Sequence, residues 1–63
     1  MNITREQYHS LKGGHPTSFS FDTSNIRRYD QIRYLCVMNF GEADQIGVMM
    51  VTEVENGKIT CVL

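Results

Sequence analysis

The chain has 63 residues, 41% of them hydrophobic, so it is expected to form one small domain over residues 1–63. A domain of this length buries only about 60% of the surface that its unfolded form exposes, and a second subunit is a common compensation. The formal net charge of −1 argues against a protein that binds nucleic acid through bulk electrostatics. The polar N-terminus lacks the features of a secretory signal and no apolar run suits a membrane span, which indicates a cytoplasmic protein with reduced thiols.

The N-terminal part of the chain predicts a short helix. Thr4 and Gln7 have the spacing of a capping box, in which each residue satisfies a free N–H group near the other. Gly13-Gly14 supplies a stop. We therefore expect a helix over roughly residues 4–12, stabilised by packing against a sheet because so short a helix is marginal alone.

Two strands are predicted in the middle of the chain. Phe19 and Phe21 alternate with serines, which is typical of a half-buried strand. Residues 31–40 are rich in strand formers, and Leu35 and Val37 make that segment apolar on both sides, as in an inner strand. Its other face is predicted to carry Ile32, Tyr34, Cys36, Met38 and Phe40.

The C-terminal residues 46–63 predict a β-hairpin around Asn56-Gly57, because both turn residues tolerate positive φ. An uninterrupted ladder pairs Glu55 with Lys58 and Val51 with Val62, and this register sorts the side chains onto two faces. The predicted core face carries Ile46, Val48, Met50, Thr52, Val54, Ile59, Cys61 and Leu63.

These elements predict an α+β fold, with one short N-terminal helix packed on a mostly antiparallel sheet of about four strands that ends in the hairpin. One helix cannot cover both faces of the sheet, and an exposed apolar face usually marks an interface. The predicted oligomer interface consists of Leu35, Val37, Met49, Val51 and Val62. The last strand lacks the charges, proline or bulge that usually protect an edge, so either the Phe19–Phe21 strand covers it or another chain pairs with it.

Three arginines and two tyrosines cluster in residues 27–34. Arg27, Arg28, Tyr29 and Arg33 are the candidate partner-binding residues, because Arg and Tyr are enriched at the centres of protein interfaces. The same arginines and tyrosines could bind the phosphates of a nucleic acid and stack on its bases. It is also typical of a turn whose arginines pair with nearby acids such as Asp22, Asp30 and Glu53.

The residues that could perform chemistry have spacings that argue against it. Cys36 and Cys61 lie 25 residues apart and His9 and His15 six apart, unlike the short ligand pairs of structural zinc sites. Both cysteines lie in apolar strand contexts, which predicts buried thiols with raised pKa rather than activated nucleophiles. Lys12-Gly13-Gly14 follows a helix and is interpreted as a helix end rather than a phosphate-binding loop. No metal, cofactor or enzymatic activity is expected.

We therefore expect a non-enzymatic binding protein that acts through protein–protein contact as a homodimer. An inhibitor or adaptor of a host protein, of the kind that phages and other mobile elements encode, fits its size. The alternative is a small nucleic-acid-binding domain that uses the Arg27–Tyr34 segment and binds in a salt-dependent way.

Overall fold

The computed structural model describes all residues, 1–63, and contains one helix and five strands. In chain order the elements are β1 (Asn2–Ile3), α1 (Arg5–Lys12), β2 (Thr17–Ser20), β3 (Gln31–Cys36), β4 (Gln45–Glu55) and β5 (Lys58–Val62). The fold is thus α+β, as predicted. No helix of the structure is long and apolar enough to cross a membrane.

Helix α1 begins with the predicted capping box. The Thr4 hydroxyl accepts a hydrogen bond from the Gln7 N–H at 3.1 Å, and the Gln7 side chain accepts one from the Thr4 N–H at 2.8 Å. The helix ends at Lys12, where the Gly13 N–H donates to the His9 carbonyl. Leu11 is buried, so one face of the helix joins the core.

The five strands form one mixed sheet in the order β1-β3-β4-β5-β2. The β3–β4, β4–β5 and β5–β2 pairs are antiparallel, whereas β1 runs parallel to β3. The sequence predicted about four strands and did not indicate β1, because two residues are too few to show a periodicity. The last strand, β5, is an inner strand covered by β2, which is the first of the two arrangements expected for it.

The β4–β5 hairpin contains a bulge, whereas the sequence predicted an uninterrupted ladder. Glu55 pairs with Lys58 and Glu53 with Thr60 as predicted, but Val51 pairs with Cys61 instead of Val62. Thr52 is the extra residue on β4. A bulge of this kind reverses the faces of all residues beyond it, because side chains alternate along a strand.

The core lies between α1 and one face of the sheet. Its buried residues are Ile3, Leu11, Phe19, Ile32, Tyr34, Cys36, Met49, Val51, Ile59 and Cys61. Tyr8 of α1 packs near Tyr34, with ring centroids 6.2 Å apart, and its hydroxyl donates to the Gln45 side chain at 3.3 Å. The opposite side of the sheet carries no helix.

The segment between β3 and β4, residues 37–44, is a loop, which we call the β3–β4 loop. Strand β3 ends at Cys36, four residues earlier than the predicted bound, and the Met38 N–H donates to the Asp44 carboxylate at 3.1 Å. The prediction that this strand extends to Phe40, with Phe40 on the same face as Ile32, is therefore wrong. Its side chain is 97% exposed and its backbone has φ of 60°.

Candidate functional site

The candidate site is the uncovered side of the sheet, which we call the open face. Its apolar part lies where β3, β4 and β5 meet: Leu35 lies opposite Ile46, and Met50 lies opposite Val62. Ile46 is 76% exposed and Val48 is 47% exposed, while Leu35, Met50 and Val62 are half-buried. Single exposed apolar residues are normal on protein surfaces, but a contiguous group is typical of an interaction surface.

Two residues of the predicted oligomer interface do not lie on this face. Met49 and Val51 are 1% and 0% exposed, and both belong to the core. Their burial is caused by the bulge at Thr52, since it moves Val51 and Met49 to the same side as Cys61 and Ile59. Neither side chain is available to a second chain.

The other three residues of that predicted set stay at the surface. Leu35 and Val62 lie on the open face, and Val37 is 57% exposed just beyond the end of β3. The bulge brings Ile46, Val48 and Met50 to the open face in place of the residues that it buries. The sequence contains one sign of the bulge, because Thr52 is the only polar residue on the predicted core face.

Residues 27–30 form a turn that is attached to β4 at the bulge. The Tyr29 N–H donates to the Val51 carbonyl at 2.7 Å, and the Val51 N–H donates to the Asp30 carbonyl at 2.8 Å. The Arg28 Nε donates to the Thr52 carbonyl at 3.1 Å. A bulge leaves backbone groups of the extra residue without a ladder partner, and Arg28 satisfies one of them here.

Two of the acids expected near these arginines do pair with the turn. The Arg28 guanidinium lies 3.6 Å from the Glu53 carboxylate, and the Asp30 carboxylate accepts a hydrogen bond from the Arg27 N–H at 2.9 Å. Asp22 instead accepts hydrogen bonds from the Ser24 hydroxyl and N–H, which lower its pKa. The Arg28–Glu53 pair is well exposed, so it contributes little to stability.

The four candidate partner-binding residues fall into two places. Arg27, Arg28 and Tyr29 lie together on the turn, where the Arg28 guanidinium sits 5.6 Å from the centre of the Tyr29 ring and Tyr29 has φ of 71°. Arg33 lies on β3 of the open face, directly opposite Val48. The open face therefore has an apolar centre with Arg33 inside it and the Arg28–Glu53 pair at its β4 end.

The cysteines and histidines do not form a site. Cys36 and Cys61 are free thiols at 0% exposure in the core, as predicted, and burial raises the pKa of Cys61. His9 and His15 are exposed on and after α1. Three or more potential ligands of this kind do not come together anywhere in the structure, and the surface contains no pocket.

Comparison with models of known protein families, with characterised proteins and with solved structures found no match for this chain. The geometry of the open face and of the turn is therefore the basis for a functional proposal.

Proposed function

We propose that this chain is a non-enzymatic binding protein that acts through protein–protein contact and forms a homodimer through its open face. The observation that carries the proposal is the uncovered apolar group on β3, β4 and β5, in which Ile46 and Val48 are 76% and 47% exposed. Helix α1 covers the opposite side of the sheet. Burying the open face against a second copy would remove this apolar surface from water.

The charges of the open face suit a pair of copies related by a two-fold axis. Arg33 lies opposite Val48, and Glu53 lies five residues further along β4, with Met50 between them. In a symmetric dimer, residue i contacts residue j and j contacts i. An axis near Met50 would bring Arg33 of each copy opposite Glu53 of the other, while the apolar residues pack between the two sheets.

The experiment is a measurement of mass by light scattering over a range of protein concentrations. Wild-type protein is expected to approach twice the monomer mass of 7.2 kDa as concentration rises. Val48→Lys places a charge in the centre of the apolar group and should keep the protein monomeric, whereas Asn25→Lys adds the same charge on an exposed loop and should leave the dimer unchanged. A wild-type protein that stays monomeric at every concentration would rule out the homodimer.

The two-fold geometry has its own test by charge reversal. Arg33→Glu and Glu53→Arg should each weaken the dimer, because each places like charges across the axis, and the double variant should restore it. If the double variant is no better than the two single ones, the copies do not meet in this orientation. The single Glu53 variant also removes the contact with Arg28, so the folded state of each variant is checked by circular dichroism.

An inhibitor or adaptor of a host protein is the specific role that we propose for such a protein. The chain is small, its surface has no pocket for a substrate, and its exposed features are side chains that can insert into or lie against another protein. The tip of the β3–β4 loop carries the most exposed of these side chains.

A further inference from the structure

The β3–β4 loop presents Phe40 to solvent. This side chain is 97% exposed, the highest value among the large apolar residues, and it makes no contribution to the core. Val37, the first residue of the loop, and Ile46, just after the loop, are 57% and 76% exposed. Exposing an aromatic ring is unfavourable in water, so its position at the tip is not explained by the stability of the monomer.

The backbone at Phe40 is also in a conformation that bulky residues rarely adopt. Phe40 has φ of 60° and Gly41 has φ of 80°, so two successive residues are left-handed. The surrounding hydrogen bonds hold this shape: the Glu42 N–H donates to the Asn39 carbonyl at 3.3 Å, and the Met38 N–H donates to the Asp44 carboxylate. Strain of this kind is concentrated at functional sites, where the surrounding structure maintains it.

The charge of the β3–β4 loop indicates which class of partner would suit Phe40. The loop carries Glu42 and Asp44, both exposed, and the chain has no lysine or arginine anywhere between residues 34 and 57. A tip of this charge is repelled by an anionic bilayer and by the phosphates of nucleic acid. It is complementary to a protein surface on which lysine or arginine borders an apolar recess.

We propose that Phe40 is an anchor residue that inserts into an apolar pocket, bordered by basic side chains, on a different protein. A second copy of this chain does not supply such a pocket, since its surface contains none. Aromatic side chains that fill a pocket at the centre of an interface often dominate the binding energy, which fits a single ring held out from a short hydrogen-bonded loop.

The inference rests on the proposed binding function but uses a different surface from the open face. Failure of the homodimer proposal can therefore be distinguished from failure of the Phe40 proposal. Val48→Lys should abolish the homodimer and leave Phe40-dependent binding in place, whereas Phe40→Gly should leave the homodimer intact.

The test combines capture from a lysate of the source cell with cross-linking. The full chain is used as wild type, as Phe40→Gly and as Leu63→Gly; Leu63 is the control, because it is also an exposed large apolar residue but belongs to none of the candidate binding residues. The captured protein is purified and its dissociation constant is measured. A photoreactive phenylalanine analogue is then placed at position 40 and, separately, at position 63, and the cross-linked peptide of the partner is sequenced.

We expect the dissociation constant to rise about 30-fold in Phe40→Gly, as for other interface aromatics, and to change little in Leu63→Gly. The cross-link from position 40 should fall on apolar residues next to lysine or arginine, and Glu42→Lys should slow association at low salt. The proposal is overturned if wild type retains no protein, if Phe40→Gly binds as well as wild type, or if the cross-link joins two copies of this chain. Phe40-dependent sedimentation with vesicles of phosphatidylcholine and phosphatidylglycerol would also overturn it, in favour of a membrane anchor.

Discussion

Gly47 is required by the packing of Tyr34 on the neighbouring strand. The two residues are partners in the β3–β4 register, and a Cβ atom built at Gly47 would lie 2.5 Å from the Tyr34 hydroxyl oxygen and 2.7 Å from the nearest ring atom. Tyr34 is 7% exposed and packs near Tyr8, so it has little room to move away. A side chain at this position would force the core apart.

Gly47→Ala should therefore lower the free energy of unfolding by roughly 1–3 kcal/mol, which is typical of overpacking. Urea denaturation followed by circular dichroism measures this. Val48→Ala is the control. Val48 is the next residue along β4, but its side chain lies on the open face, so its truncation should change the free energy of unfolding by less. Replacing a strand glycine that has no close neighbour by alanine usually raises stability. A gain in stability for Gly47→Ala would therefore show that Tyr34 does not restrict this position.

The buried thiol of Cys61 makes stability depend on pH. Burial raises the pKa of Cys61, so the folded protein holds this proton more tightly than the unfolded chain does. Its contribution is complete below the ordinary thiol pKa of about 8.5 and is lost as the pH rises through the higher folded-state value. The pKa of Tyr34 is raised too, by burial first and then by Tyr8 and Cys36, and its effect begins above pH of about 10.

Urea midpoints measured from pH 7 to 10 should fall with increasing pH. Cys61→Ala, although less stable throughout, should flatten the decline above pH of about 8.5, because it removes the titrating group. Tyr34→Phe should leave that part of the curve unchanged. Equal slopes for wild type and Cys61→Ala would show that another group causes the decline.

At the scale of elements, the bulge in β4 decides which side chains meet a partner. Without Thr52 the ladder would be regular, since Glu53 and Val51 already pair with the adjacent residues Thr60 and Cys61. Thr52 is held by its hydroxyl, which donates to the Thr60 carbonyl at 3.2 Å, and its own carbonyl accepts from Arg28. The bulge is thus a one-residue insertion fixed by two hydrogen bonds.

Deletion of Thr52 should leave a folded protein with the same core. The expected loss is about 1–3 kcal/mol in the free energy of unfolding, from two hydrogen bonds at roughly 0.5–1.5 kcal/mol each. Deletion of Met50 is the control, because it moves Val48 and Met49 to the wrong faces and should unfold the chain. Amide NMR spectra distinguish the outcomes, and an unfolded Thr52 deletion would show that the bulge is needed for folding itself.

Local signals in the sequence predicted most of these elements but not the faces of β4. The capping box at Thr4 and the turn at Asn56-Gly57 act through neighbouring residues, so their chemistry is readable without the fold. The bulge could not be predicted in this way. It places Met49 and Val51 in the core, whereas a regular ladder would place Met50 and Thr52 there, and the choice depends on how the complete core packs. Two of the five predicted interface residues, Met49 and Val51, consequently lie in the core, while Leu35, Val37 and Val62 stay at the surface.

For the whole molecule, a dimer through the open face would couple stability to concentration. A partner that binds only the folded chain raises the melting temperature, and in a homodimer the partner is the protein itself. The melting temperature of wild type should therefore rise with protein concentration, and that of Val48→Lys should not. A melting temperature that is independent of concentration in wild type would count against the dimer.

The order of the strands also bears on how the chain reaches its folded state. Strands β3, β4 and β5 are joined by local turns, whereas β1 pairs with residues 33 positions away and β2 with residues 38 to 44 positions away. Non-local pairings close large loops and are slow to form. The N-terminal twenty residues supply both edges of the sheet, and β2 has no neighbour until β5 has been synthesised. Until β5 has been synthesised, the nascent chain therefore carries β2 as an unpaired strand beside the capped helix.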